Sequence, residues 1–154
     1  MQAKPPPATA LFSRERLIRF SDCDPAGIVF YPQYFIMFNG LVEDWFNEGL
    51  GISYQELVIG RRIGLPTVHL EADFRAVSAM GDQVVLSLDV ERVGGRSLTV
   101  QVRCTGRDDG VLRMHAQIVL VTTSLREHHA IDIPPDVRAA ITAASGNNRP
   151  QTPR

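Results

Sequence analysis

Two acids ahead of a helix start are the first chemistry in this chain. Residues 20–34 read Phe-Ser-Asp-Cys-Asp-Pro-Ala-Gly-Ile-Val-Phe-Tyr-Pro-Gln-Tyr, so Asp22 and Asp24 precede Pro25 and Gly27, and an apolar periodic run opens at Pro32. Proline at 25 biases Asp24 toward an extended backbone. Glycine at 27 permits a tight turn or the close approach of a ligand. A helix N-terminus presents unpaired N–H groups and a partial positive charge. A carboxylate just ahead of it can cap the helix. It can also attack, or activate water against, a carbonyl whose oxygen those amides hold. From the residues alone both uses stand, as does a division of labour with Asp22 as the cap and Asp24 as the reactive group.

Other catalytic signatures are missing. The chain has no G-x-S-x-G, no G-x-x-x-x-G-K-[ST] and no G-x-G-x-x-G. Its four histidines, at 69, 115, 128 and 129, show no H-E-x-x-H spacing, and Cys23 and Cys104 lie too far apart for a metal-ligand pair. His128-His129 reads as a solvated loop. No metal or other cofactor is expected.

These residues need elements to hold them. Tyr34, Phe35, Phe38, Leu41, Val42, Trp45 and Phe46 recur at helical spacing, so the run Pro32–Leu50 reads as a helix with proline in its first turn and Gly49 and Gly51 as stops. Ile36 and Met37 lie off that stripe, so the helix is apolar round more than half its circumference and should be enclosed. A second helical stretch, from Ser53 to Val58, carries Ser53 as cap and Glu56 three residues on. From residue 65 the period changes to two. Alternating runs at 67–75, 84–91, 98–105 and 112–120, separated by Gly81-Asp82, Gly94-Gly95 and Asp108-Asp109-Gly110, predict an antiparallel meander. An early strand over Arg14–Phe20 should join it, and a last helix should run from Pro134-Pro135 to Ala144. A one-faced sheet needs a cover and a greasy helix needs a wrapper. The fold class expected is therefore α+β, a curved antiparallel sheet around one long central helix. The mixed outer face (Thr67, Thr99, Gln101, His115, Val119, Val121) and the open sheet edges point to contacts between copies.

Composition bounds the partners. Of 154 residues, 16 are basic and 17 acidic, giving a net charge of −1 that offers nucleic acid no general attraction. No apolar run reaches the ~20 residues of a membrane span. Residues 1–10, with prolines at 5, 6 and 7, should form a flexible arm, residues 11–144 a single domain, and residues 145–154 a disordered tail. The arm lacks the apolar core of a secretory signal, and two distant thiols suit a reducing compartment, so a cytoplasmic location is expected.

The segment Asp22-Cys-Asp-Pro-Ala-Gly-Ile-Val-Phe-Tyr-Pro-Gln-Tyr34 resembles the signature of the hot-dog-fold thioesterases of the 4-hydroxybenzoyl-CoA thioesterase family. The likeness continues through the helix, Leu65-Pro66, Gly81-Asp82 and Arg96-Ser97, and covers about residues 14–125. It implies an acyl-CoA thioesterase acting on an aryl or short acyl group. Thioesters on an acyl-carrier protein, or acyl-CoA binding without turnover, are the alternatives. In that resemblance Asp24 is the nucleophile or general base, and the backbone N–H of Tyr31 is the oxyanion donor. Gly27, Phe30, Tyr34, Phe35 and Asn39 line the acyl slot. Asn39 stands where the family's hydroxybenzoyl enzyme has an acid, so benzoyl and aminobenzoyl groups compete with 4-hydroxybenzoyl. Arg92 and Arg96 correspond to a basic stretch that contacts coenzyme A phosphates, with Gly94-Gly95 replacing further basic residues. Arg61-Arg62 is another possible phosphate contact, and His69 and Glu71 are candidates to reach a neighbouring subunit. A homodimer or a homotetramer built as a dimer of dimers is implied.

Overall fold

A computed structural model describes residues 10–146. The arm before residue 10 and the tail after 146 lie outside the described residues. Chain order runs β1 (Phe12–Leu17), a 3-10 turn (Phe20–Asp22), α1 (Pro32–Asp44), a π turn (Glu56–Gly60) where a helix over Ser53–Val58 was expected, β2 (Ile63–Gly64), β3 (Thr67–Phe74), β4 (Gln83–Val93), β5 (Ser97–Gly106), β6 (Leu112–Val121), β7 (Thr123–Ser124), β8 (His129–Ala130) and α2 (Pro135–Gly146). Helix α2 thus extends two residues into the segment expected to be disordered.

Five strands form one antiparallel sheet in the order β1-β4-β5-β6-β3, and the short β2, β7 and β8 make a small second sheet. The large sheet curves round α1 as the hot-dog arrangement requires. Its concave face contributes alternate buried residues, among them Leu86, Leu88, Val100, Val102, Ala116 and Ile118, against Phe38, Leu41, Trp45 and Phe46 of the helix. Each large side chain so enclosed contributes roughly 1.5–3 kcal/mol relative to exposure.

Four further details depart from the sequence expectation. The helix runs to residue 49 but ends in a wide π turn over Trp45–Gly49, with Leu50 N–H donating to the Trp45 carbonyl at 2.8 Å. Two consecutive aromatic residues, Trp45 at 1% and Phe46 at 0% exposure, must both face inward there. A Cβ on Gly49 would lie 2.7 Å from the Trp45 ring, so only glycine fits this turn. Ile36, at 59% exposure, leaves one side of the helix open rather than enclosed. Strand β1 ends at Leu17 instead of Phe20, because the Asp22 carboxylate captures the Arg19 N–H at 2.8 Å and winds the next residues into the 3-10 turn.

The fourth departure is topological. Strands β4, β5 and β6 form the expected meander, but β3 does not pair with β4. It crosses over to the far side and pairs with β6, from Thr67 opposite Leu120 to Phe74 opposite Met114. Gly81-Asp82 therefore ends a crossover and not a hairpin. At the sheet's free edge β3 leaves Val68, Leu70 and Phe74 exposed. Among the described residues no helix is long and apolar enough to cross a membrane.

Candidate active site

The acid-bearing segment folds into a tight hairpin. Asp24 N–H donates to the Ile28 carbonyl at 3.0 Å, and Gly27 N–H donates to the Asp24 carbonyl at 2.9 Å. Gly27 takes φ +76°, the left-handed conformation that lets such a loop close. A Cβ there would meet nothing within 4 Å, so among the described residues Gly27 serves the turn and not a close contact. Pro25 occupies the turn position that its fixed φ favours. The hairpin is then stitched to the crossover that follows β3. Val29 N–H donates to the Ser78 carbonyl, Met80 N–H donates to the Gly27 carbonyl, and Ile28 bridges Ala79.

The two aspartates separate cleanly. Asp22 is 3% exposed, and its carboxylate accepts from the Arg16 guanidinium at 3.0 Å and from the Arg19 N–H. It caps the 3-10 turn and not α1, whose first residues have no side-chain cap. Asp24 is half-buried. One of its oxygens accepts the Ala26 N–H at 2.9 Å, which fixes the carboxylate on the turn and leaves the other oxygen for chemistry.

At the helix start most donors are already spent. Pro32 has none, Gln33 N–H donates to the Phe30 carbonyl at 2.8 Å, and Tyr34 N–H donates to the Tyr31 carbonyl at 3.2 Å. The Tyr31 N–H donates to no acceptor among the described residues. It is the amide at this helix end that remains for a ligand oxygen.

Tyr31 also walls a cleft of about 270 Å³ with Ile28, Tyr34, Phe74 and Ser78, whose lining does not include Asp24. The Phe74 ring meets those of Tyr31, Tyr34 and Phe35 with centroids 6.1, 6.1 and 6.5 Å away. Tyr34 is core rather than surface, its hydroxyl donating to Ser78 Oγ at 2.9 Å, and burial pushes its phenol up. Phe30 and Tyr31 stand half-exposed beside the cleft, edge to face with each other. Burial raises the Cys23 thiol, and the carboxylates of Asp22 and Asp24 add to the effect.

The remaining candidates lie elsewhere. Asn39 opens on a second groove of about 410 Å³ with Glu43, Tyr54, Leu65 and Pro66. Arg92 borders a groove of about 780 Å³ formed with the end of α2. Arg96 pairs with Asp132 at 3.1 Å, and Arg61 grips Asp136 through two hydrogen bonds. His69 and Glu71 pair with each other on the exposed edge strand. Among the described residues no group of three or more His, Cys, Asp or Glu is placed to hold a metal ion.

Three residues that sequence reasoning did not connect to the site belong to it structurally. Phe74 falls on the apolar alternation of residues 67–75 and so was expected to bury, but it stands half-exposed at the end of β3 and walls the cleft. Ser78 sits in a loop without periodicity. Arg113, 12% exposed at its side chain, donates to the Val77 carbonyl and to Asp82 and Asp109, pinning the crossover that carries Ser78.

Comparison with known proteins places this geometry among relatives. A family model described as the thioesterase-like superfamily matches residues 18–141. A 1,4-dihydroxy-2-naphthoyl-CoA hydrolase from Synechocystis sp. is 25% identical over 130 residues, spanning 84% of this chain and 94% of its own. The crystal structure of a 1,4-dihydroxy-2-naphthoyl-CoA thioesterase from Synechocystis superposes with a TM-score of 0.77 at 25% identity, covering 84% of this chain and 94% of that one. A gentisyl-coenzyme A thioesterase superposes with a TM-score of 0.75, also at 25% identity, covering 82% and 99%.

Proposed function

The chain belongs to the thioesterase-like superfamily, and on that premise we propose that it is a thioester hydrolase acting on aryl-CoA substrates. The reading is carried by one observation: the Tyr31 N–H has no acceptor among the described residues, and the hairpin leading to it presents an uncapped carboxylate oxygen of Asp24. A thioester carbonyl bound in the cleft would place its oxygen on that amide. Asp24 then either attacks the carbonyl carbon, expelling the coenzyme A thiolate and forming an anhydride that water cleaves, or takes a proton from water that attacks directly. Both routes release the free acid and the thiol, and both build negative charge where the amide points.

An aryl acyl group suits the rings of Phe30, Tyr31 and Phe74, which offer flat faces and edges beside the carbonyl position. The named relatives act on bicyclic and dihydroxylated aryl thioesters, which supports 1,4-dihydroxy-2-naphthoyl-CoA or a dihydroxybenzoyl analogue over 4-hydroxybenzoyl-CoA as the substrate. Asn39 opens on the separate groove, so it would read a ring substituent only across an interface with a second copy, and Arg92 and Arg96 would meet coenzyme A phosphates, with Arg96 exchanging its Asp132 partner on binding. The exposed apolar edge of β3 supports a homodimer, or a homotetramer built from two, and two free thiols support a cytoplasmic setting.

Thiol release from a panel of aryl-, short- and long-chain acyl-CoA thioesters and acyl-carrier-protein thioesters tests the proposal. Aryl-CoA preference, lost in Asp24→Asn, is the expected result. Preference for long-chain or carrier-bound thioesters, or full turnover by Asp24→Asn, would overturn it. Single-turnover labelling in heavy-oxygen water then separates the routes, since label entering Asp24 requires the anhydride.

A further inference from the structure

One residue grips the chain on both sides of Tyr31. Ser78 lies in the crossover between β3 and β4 and is 1% exposed. Its carbonyl accepts the Val29 N–H at 2.9 Å, two residues before Tyr31. Its hydroxyl accepts the Tyr34 phenol proton at 2.9 Å, three residues after Tyr31. Both bonds are shielded from water, since Val29 and Tyr34 are themselves buried. Phe30 N–H ties the return strand of the hairpin to Asp22. Ser78 thus bonds the chain two residues before Tyr31 and the helix three residues after it.

We infer that Ser78 is a positioning residue for hydrolysis, directing the Tyr31 N–H at the oxyanion by fixing the return strand with its main chain and the first helical turn with its side chain. The inference rests on the thioesterase reading given above. Its physical basis is the steepness of the geometry. An oxyanion donor is effective only about 2.7–3.1 Å from the charge that develops, and a 1 Å misplacement costs on the order of 100-fold. Ser78 is 1% exposed in the wall of the cleft, and the role inferred for it runs through Val29 and Tyr34.

A structural role alone would also be expected of a buried serine, so the test must separate the two. Ser78→Ala, Tyr34→Phe and the double variant are compared with wild type on whichever aryl-CoA the wild type hydrolyses fastest. In Ser78→Ala the Tyr34 hydroxyl is left buried without this acceptor, so Tm falls. The double variant removes that orphaned group, so Tm recovers. The expected kinetics differ from that pattern. In Ser78→Ala kcat falls on the order of 10-fold with KM within about twofold, the signature of an interaction lost in the transition state. In the double variant kcat stays low although Tm returns.

Wild-type kcat in Ser78→Ala, or a kcat that recovers together with Tm in the double variant, would overturn the inference. Should Ser78→Ala fail to fold, Tyr34→Phe decides: a lowered kcat at unchanged KM supports the role, and wild-type kcat removes it. Asp24→Asn is run beside these variants. Full turnover there defeats the underlying reading, whereas its inactivity beside a fully active Ser78→Ala defeats the role of Ser78 alone.

Discussion

Asp22 and Asp24 sit two residues apart in one motif, and exchanging each for a neutral side chain should have opposite consequences. Asp22 is 3% exposed and holds the Arg19 N–H and the Arg16 guanidinium. A backbone N–H donating to a carboxylate contributes about 1.5–3 kcal/mol. Arg16 is 38% exposed, so its ion pair is screened and adds about 1 kcal/mol at most. Asp22→Ala should therefore lose about 3 kcal/mol, which for a chain of this length lowers Tm by roughly 6–12 °C. Asp24→Asn preserves the acceptor that binds the Ala26 N–H, so the turn survives and Tm should stay within about 2 °C of wild type. Turnover should fall by roughly 10²–10⁴ in Asp24→Asn, as for loss of a general base. In Asp22→Ala it should fall by less than about 10-fold per folded molecule, because the chemistry is displaced and not removed. Differential scanning calorimetry and thiol-release kinetics on the same preparations read both axes. An unshifted Tm with lost turnover in Asp22→Ala, beside a destabilised but active Asp24→Asn, would refute the assignment of roles.

Gly27→Ala should cost about 1–2 kcal/mol in urea unfolding, the penalty of a left-handed backbone without any clash, and Gly27→Asn less. A loss far above that range would mean that the space beside Gly27 is filled. Cys104 is fully buried and its thiol is pushed up to about 12 by burial, so a thiol reagent near neutral pH should not reach it before unfolding. Cys23 should react slowly, gaining only as pH passes its ordinary value of 9.0, and Cys23→Ser should keep wild-type turnover. The Arg61 guanidinium holds the Asp136 carboxyl below the usual aspartate range. The stability this pair contributes, under about 1 kcal/mol at an exposed site, should be fully present above pH ~3.9 and vanish as pH falls through the lowered folded value. A pH-independent difference between wild type and Asp136→Asn would contradict that linkage.

Elements whose burial follows a period were legible in the sequence. The alternation in residues 84–90 and 98–104 survives as buried strand faces, and the stripe through Phe38, Leu41 and Trp45 survives as the helix core. Strand order was not legible. Gly81-Asp82 has the composition of a hairpin turn, yet the partner of β3 is chosen by the sheet as a whole, its paired residues lying from 40 (Phe74 with Met114) to 53 (Thr67 with Leu120) positions further along the chain. The division between Asp22 and Asp24 was one of the readings the residues left open, because it depends on Arg16 and Arg19 reaching the first carboxylate and on the turn presenting the second. Ser78 carries no local signal. A serine in an aperiodic crossover acquires meaning only when Val29 and Tyr34 arrive from another part of the chain.

The free edge of β3 has a consequence for how the protein responds to its own abundance. Phe74 ends that strand and its ring meets that of Tyr31, whose N–H we propose as the oxyanion donor, so a strand docked along the edge would lie beside the proposed site. On that reading, association along the edge would alter turnover. Specific activity measured across a dilution series would register, in the rate of thiol release, whether the edge is occupied.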